Sequence, residues 1–125
     1  MYKYYNPNPG HFNTGDCVVR GISKLMSQSW EWTYMMICIQ GFLMKKMPSY
    51  NEVWSEYLFN NGYRRTQLPN TCPDCYIVKD FCHDFPIGRY LLALDGHVVA
   101  VVDGNYYDTW DSGNETVLYY WRREQ

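Results

Sequence analysis

Cys17 stands directly after Thr14, Gly15 and Asp16, at the head of the run "CVVRGISKLM". Val18, Val19, Ile22, Leu25 and Met26 recur there at three- and four-residue steps. That spacing predicts a helix from 17 to about 28, with Cys17 on its first turn and Asp16 or Thr14 as cap. A helix N-terminus carries about half a positive charge and unpaired amide donors, so a cysteine placed there has its thiolate favoured. The same amides, above all the N–H of Cys17, can face the oxyanion that forms when a thiolate attacks a carbonyl. The alternative is the commoner fate of a free cysteine, a small buried hydrophobe.

A cysteine nucleophile needs an imidazole to take its proton, and the imidazole needs an acceptor on its other nitrogen. Residues 96–113, "GHVVAVVDGNYYDTWDSG", offer both in one hairpin. A two-residue turn at Asp103 and Gly104 sets Val99 opposite Asp108 and His97 opposite Trp110, so His97 and Asp108 become diagonal neighbours on one face. A three-residue turn sets Asp111 opposite His97 and turns Asp108 away. From the residues alone both aspartates stay candidates to orient His97. A surface histidine beside solvated acids is the inert alternative.

"GDC" opening a helix, "GHVVAVVDG" on a strand and "YYDTWDSG" on the next resemble the papain-like cysteine peptidases, whose cysteine, histidine and Asn-Ser-Trp-Gly motif follow in that order. The resemblance implies Cys17 as nucleophile, His97 as general base, Asp108 in place of the orienting asparagine and Trp110 as the indole that shields the His97 contact. "ETVLYYWRR" looks like the family's last strand, and the short chain is similar in size to compact bacterial members such as the bacteriocin-leader peptidases. One position departs. Where the family carries a glutamine as second oxyanion donor this chain has His11, with Asn13 two residues on as the candidate amide. The expected protein is a thiol protease or amidase, a hydrolase acting on peptide or protein through a Cys-His-Asp triad and an acyl-enzyme, with no cofactor and no metal.

Other residues suggest other chemistry. Cys72 and Cys75 in "CPDC", with Cys82 and His83, number enough soft ligands for a tetrahedral zinc site. Adjacent Cys82 and His83 project in different directions from a helix, so ordinary thiols are expected there. Five cysteines, an odd number, and no apolar signal-peptide centre in "MYKYYNPNPG" read as reduced thiols in a cytoplasmic protein. No run reaches the roughly 18 apolar residues of a membrane span. A formal charge of −2 with 11 scattered basic residues gives no continuous positive surface, and 13 Tyr and 5 Trp are read as packing groups, so nucleic acid is not an expected partner. The alternatives to a hydrolase are a non-catalytic interaction protein on the same fold and a small zinc-stabilised binding module.

To position these residues, 125 residues suffice for one domain with one core. Residues 1–14 read as an extended arm or loop. Helices are expected at "WEWTYMMICIQGFLMKK" after Ser29 and at "NEVWSEYLFNNG", a short strand at "YRRTQ", a turn at "CPDC" and a short helix before Pro86. "RYLLALDG", "HVVAVVDG", "NYYDTWDSG" and "TVLYYWRR" read as an antiparallel meander. The expected fold is α+β and papain-like, with N-terminal helices packed on one side of a C-terminal twisted antiparallel sheet.

Overall fold

Strands β3 (Arg89–Leu94), β4 (His97–Val102) and β5 (Asn105–Asp108) form consecutive antiparallel hairpins. Asp103 and Gly104 both take left-handed φ, 50° and 77°, the geometry of a tight two-residue turn between right-twisted strands. Val102 therefore pairs with Asn105 and Ala100 with Tyr107. This is the register of the two-residue turn, the one that keeps His97 and Asp108 on one face.

The computed structural model describes residues 1–12 and 14–124. Around the hairpins it adds β1 (Tyr2–Tyr4), α1 (Cys17–Met26), α2 (Trp30–Met44), α3 (Asn51–Asn60), β2 (Tyr63–Gln67), α4 (Val78–Asp84) and β6 (Tyr119–Arg123). The six-stranded sheet runs β1-β5-β4-β3-β6-β2. Three expectations are corrected. The N-terminal arm contributes β1, which pairs parallel to β5 with Tyr4 beside Asp108, so the sheet is mixed and not antiparallel throughout. The last strand does not continue the meander. Residues 109–118 carry the chain past α4, where the Val78 and Lys79 amides bond Glu115 O and Gly113 O, and β6 then pairs with β3. Nor do all helices lie on one side.

Strand alternation explains the two sides. Leu91 and Ala93 of β3 point to the layer that contains Ile22 and Leu25 of α1, Ile37 of α2 and Val53, Trp54 and Leu58 of α3. Tyr90, Leu92 and Leu94 point the other way, into a layer filled by Phe81 of α4, Val99, Val101, Tyr106 and Tyr120. Both layers are fully excluded from water at their centres, and each buried Leu or Val there contributes about 1.5–3 kcal/mol. α1 ends at Met26, short of the expected 28, because Ser27 turns left-handed and the Ser27 and Gln28 amides close on Lys24 O and Ser23 O.

Cys72 and Cys75 form a disulfide, which corrects the expectation of reduced thiols at "CPDC" and removes both from any zinc site. The turn places the two sulfurs within bonding reach. Cys82 is buried whereas the His83 side chain is exposed, so these neighbours do point apart. Among the described residues no group of three or more His, Cys, Asp or Glu is arranged to hold a metal, and no helix is long and apolar enough to cross a membrane.

Candidate active site

α1 lies close on the centre of the sheet. A Cβ on Gly21 would come within 2.7 Å of Leu91 Cδ1, so the missing side chain is what permits the approach. Cys17, first residue of that helix, is thereby held half-buried against β4. The first helical bond runs from Arg20 N to Asp16 O at 2.9 Å, and the amides ahead of it have no acceptor within the helix.

His97 opens β4. Its Nε2 lies 2.6 Å from Asp108 Oδ2, which leaves Nδ1 as the nitrogen that can meet the Cys17 thiol, and His97 and Cys17 line the same cleft. Val98, the next residue of β4, lines the same cleft, and its amide favours the thiolate. Trp110 packs beside the imidazole with ring centroids 5.0 Å apart, although its outer surface is exposed. Asp111 is not part of this group: it accepts from the Tyr106 hydroxyl and from the Gly113 N–H at 3.1 Å. Of the two candidate aspartates, the tight turn selects Asp108.

Asp108 is almost completely buried, and each oxygen is matched by donors. Oδ2 accepts from Ser112 Oγ at 2.8 Å besides His97, while Oδ1 accepts from the Thr109 N–H at 2.8 Å and from Arg20 Nη2 at 3.4 Å. Arg20 is itself buried and pairs through Nη1 with Asp16. Asp16 occupies the N-cap position of α1 but its side chain makes no capping bond; its carboxylate is committed to Arg20 and to Trp30 Nε1 at 2.8 Å. The expected capping role of Asp16 is therefore corrected, because its carboxylate is taken by the charge-assisted bond to the buried Arg20 guanidinium and by the Trp30 indole.

This Asp16–Arg20–Asp108 chain was not anticipated from the sequence. Its one legible sign was an Asp and an Arg four residues apart with Arg20 among the helix's apolar positions. Ser112 had no sign, since its partner is fixed only by the loop after β5. Asn13 lies outside the described residues. His11 has an exposed side chain in a left-handed turn closed by its N–H on Asn8 O at 2.9 Å.

Electrostatics favour charge separation between sulfur and ring. Burial alone would push the Cys17 thiol up. The His97 hydrogen bond, the Val98 amide and the positive charges of His97 and Arg20 outweigh it and hold the thiol below its ordinary value. Burial would likewise lower His97, yet the hydrogen bonds to Asp108 and Cys17 and their negative charges push it up to about 9. Arg20, in ion pairs with both Asp16 and Asp108, and a protonated His97 supply the positive charge that offsets these carboxylates and the Cys17 thiolate.

No protein-family model matches the chain, and no curated protein or solved structure is detectably similar to it. The chemistry rests on the geometry alone.

A cleft of about 160 Å³ opens beside the sulfur, with Val18, Trp54, Ala93, Leu94 and Tyr119 in its walls next to His97. A larger concavity, about 1100 Å³, spans the far end of the sheet near Arg64, Arg89, Arg122 and Arg123. It holds no cysteine, and the smaller cleft is the one that abuts the Cys17 thiol.

Proposed function

We propose that the protein is a thiol-dependent hydrolase of papain-like architecture that cleaves an amide or ester bond in a peptide or protein. The observation that carries this reading is that a helix-N-terminal Cys17 shares a cleft with His97, whose ring is held by a buried Asp108 that is itself hydrogen-bonded through both oxygens. The order and spacing of the elements, central helix first and sheet strands after, accord with the resemblance noted in the sequence.

In this mechanism the Cys17 thiolate attacks the carbonyl carbon, and the electron pair of the C=O bond moves to oxygen. The Cys17 N–H donates to that oxyanion. His97, protonated at Nδ1, gives its proton to the leaving amine or alcohol as the scissile bond breaks, leaving a thioester on Cys17. A water then attacks the thioester as neutral His97 accepts its proton. Collapse of the second tetrahedral intermediate expels the thiolate and releases the acid. Asp108 keeps Nε2 engaged, so that Nδ1 faces sulfur and substrate in every step, and Ser112, Thr109 and Arg20 keep Asp108 in place. The cleft beside the sulfur, small and with Asn51 among its otherwise mainly apolar walls, favours a small side chain next to the scissile bond.

The test is alkylation of Cys17 by iodoacetamide as a function of pH, followed by mass spectrometry against Cys38 and Cys82, together with turnover of a fluorogenic peptide library. Selective labelling of Cys17 well below pH 8.5 in the wild type, lost in His97→Ala, and peptide turnover lost in Cys17→Ala are expected. Cys17 reacting no faster than an ordinary thiol would overturn the hydrolase and leave a binding protein in its place.

A further inference from the structure

α2 is apolar around its whole circumference. "WEWTYMMICIQGFLM" contains one charged residue, Glu31, yet only Thr33, Ile37 and Gly41 are buried. On the opposite side Trp32, Met35, Ile39, Phe42 and Leu43 form a continuous stripe, each 45–69% exposed, and Met47 extends it past the helix end at 60%. A helix that is hydrophobic all round is normally enclosed on all sides. α1 and α3 cover one side here, and among the described residues nothing covers the other.

We infer that this face of α2 is the contact surface of a homodimer, with α2 of one chain packed antiparallel on α2 of the second about a two-fold axis near Met35 and Ile39. Two observations single out a second copy as the occupant. The first is charge. The stripe is bounded by Glu31 at its N-terminal end and by Lys45 and Lys46 at its C-terminal end, all exposed. Antiparallel packing sets Met35 against Ile39 and Trp32 against Phe42 of the other chain. It also brings Glu31 to within about 3 Å, along the axis, of the level of Lys45 in that chain, given about 1.5 Å of rise per residue. Lys46 already pairs with Glu52 at 2.7 Å, whereas Lys45 lies over the Phe42 ring and has no carboxylate partner among the described residues. An isologous contact satisfies Glu31 and Lys45 twice, once at each end.

The second is area. With large side chains offering up to about 150–250 Å² each, the six exposed groups present roughly 700 Å² per chain, close to the ~800 Å² per partner of a standard interface. A lipid surface fits less well. Helices that lie in a membrane interface carry a lysine- and arginine-rich polar face, and the remaining side of α2 is packed into protein with Glu31 at its margin. The inference does not depend on the chemistry at Cys17.

Sedimentation velocity and light scattering on the full chain from about 1 to 200 µM test it, a range chosen to bracket interfaces of this class. The expected result is a species of twice the 14.9 kDa chain mass. Ile39→Glu, at the axis, raises the dimer dissociation constant at least about tenfold, while far-UV circular dichroism and the melting curve stay those of a folded chain. A charge pair keeps the test independent of that variant. Lys45→Glu weakens the dimer, and Glu31→Lys combined with Lys45→Glu restores it, because the attraction is re-formed with its sign reversed. A wild type that stays monomeric at 200 µM overturns the proposal, as does a dimer indifferent to both Ile39→Glu and the charge reversal. Flotation of a monomeric wild type with vesicles of phosphatidylcholine and phosphatidylserine would assign the stripe to a membrane instead.

Discussion

Replacing Arg20 with methionine isolates the least expected part of the site. Methionine fills much of the same volume but leaves Asp16 and Asp108 buried without the guanidinium that joins them. Asp16 keeps Trp30 Nε1, and Asp108 keeps His97, Ser112 and the Thr109 amide, so neither carboxylate is stripped of donors. The loss is chiefly electrostatic. Removing one partner of a buried ion pair costs about 3–5 kcal/mol, and at roughly 3–5 °C per kcal/mol for a chain of this size the melting temperature should drop by about 9–25 °C. Chemical denaturation of Arg20→Met, Asp108→Asn and the double variant forms a cycle. The double variant should be more stable than the sum of the single losses predicts, by about 0.5–3 kcal/mol, because Asp108→Asn removes one of the charges that Arg20 balanced. Arg20 also holds the Cys17 thiol down, as the last of four lowering influences. The acid limb of Cys17 alkylation in Arg20→Met should therefore move to higher pH, but by less than in His97→Ala. An Arg20→Met protein within about 1 kcal/mol of wild type, or strictly additive losses in the cycle, would refute the idea that Arg20 carries the buried charge balance.

Other outcomes follow from the same geometry. Reactivity of Cys17 should be bell-shaped in pH for a substrate that needs the proton of His97, rising as the lowered thiol ionises and falling as His97 loses its proton near 9; peptide turnover from pH 4 to 10.5 checks both limbs. Stability carries the opposite signs for the two groups. The raised His97 contributes fully below about pH 6.5 and loses its contribution as pH rises through about 9, so the stability gap between wild type and His97→Ala should narrow over that interval in denaturant titrations. Lowered Cys17 contributes above 9 and loses that contribution as pH falls through its shifted value, which the gap to Cys17→Ala reports. Gly21→Val should cost about 1–3 kcal/mol by overpacking against Leu91, and should slow Cys17 alkylation because α1 must move away from the sheet that carries His97. Trp110→Ala should leave the fold intact while opening the His97–Asp108 contact to water, seen as alkylation whose dependence on salt is steeper than in the wild type.

Local chemistry was legible wherever one segment decided the outcome. Helical spacing after Cys17 gave α1, the Ser29 cap opened α2 with its oxygen on the Trp32 amide, and the Asp-Gly turn marked the hairpin, narrowing the partner of His97 to Asp108 or Asp111 before the observed two-residue turn chose Asp108. Each is settled within about fifteen residues by period, turn geometry or capping. Features that join distant segments were not legible. Polar and aromatic residues at Tyr2–Tyr4 carry no sign of pairing with β5 until that edge exists, and β6 crosses to β3 only because α4 anchors the loop before it. Arg20 looked like the charged member of a helix face. Tertiary packing made it the buried link between the cap residue of α1 and the carboxylate behind His97, since a guanidinium taken out of water must find its acceptors wherever the fold brings them.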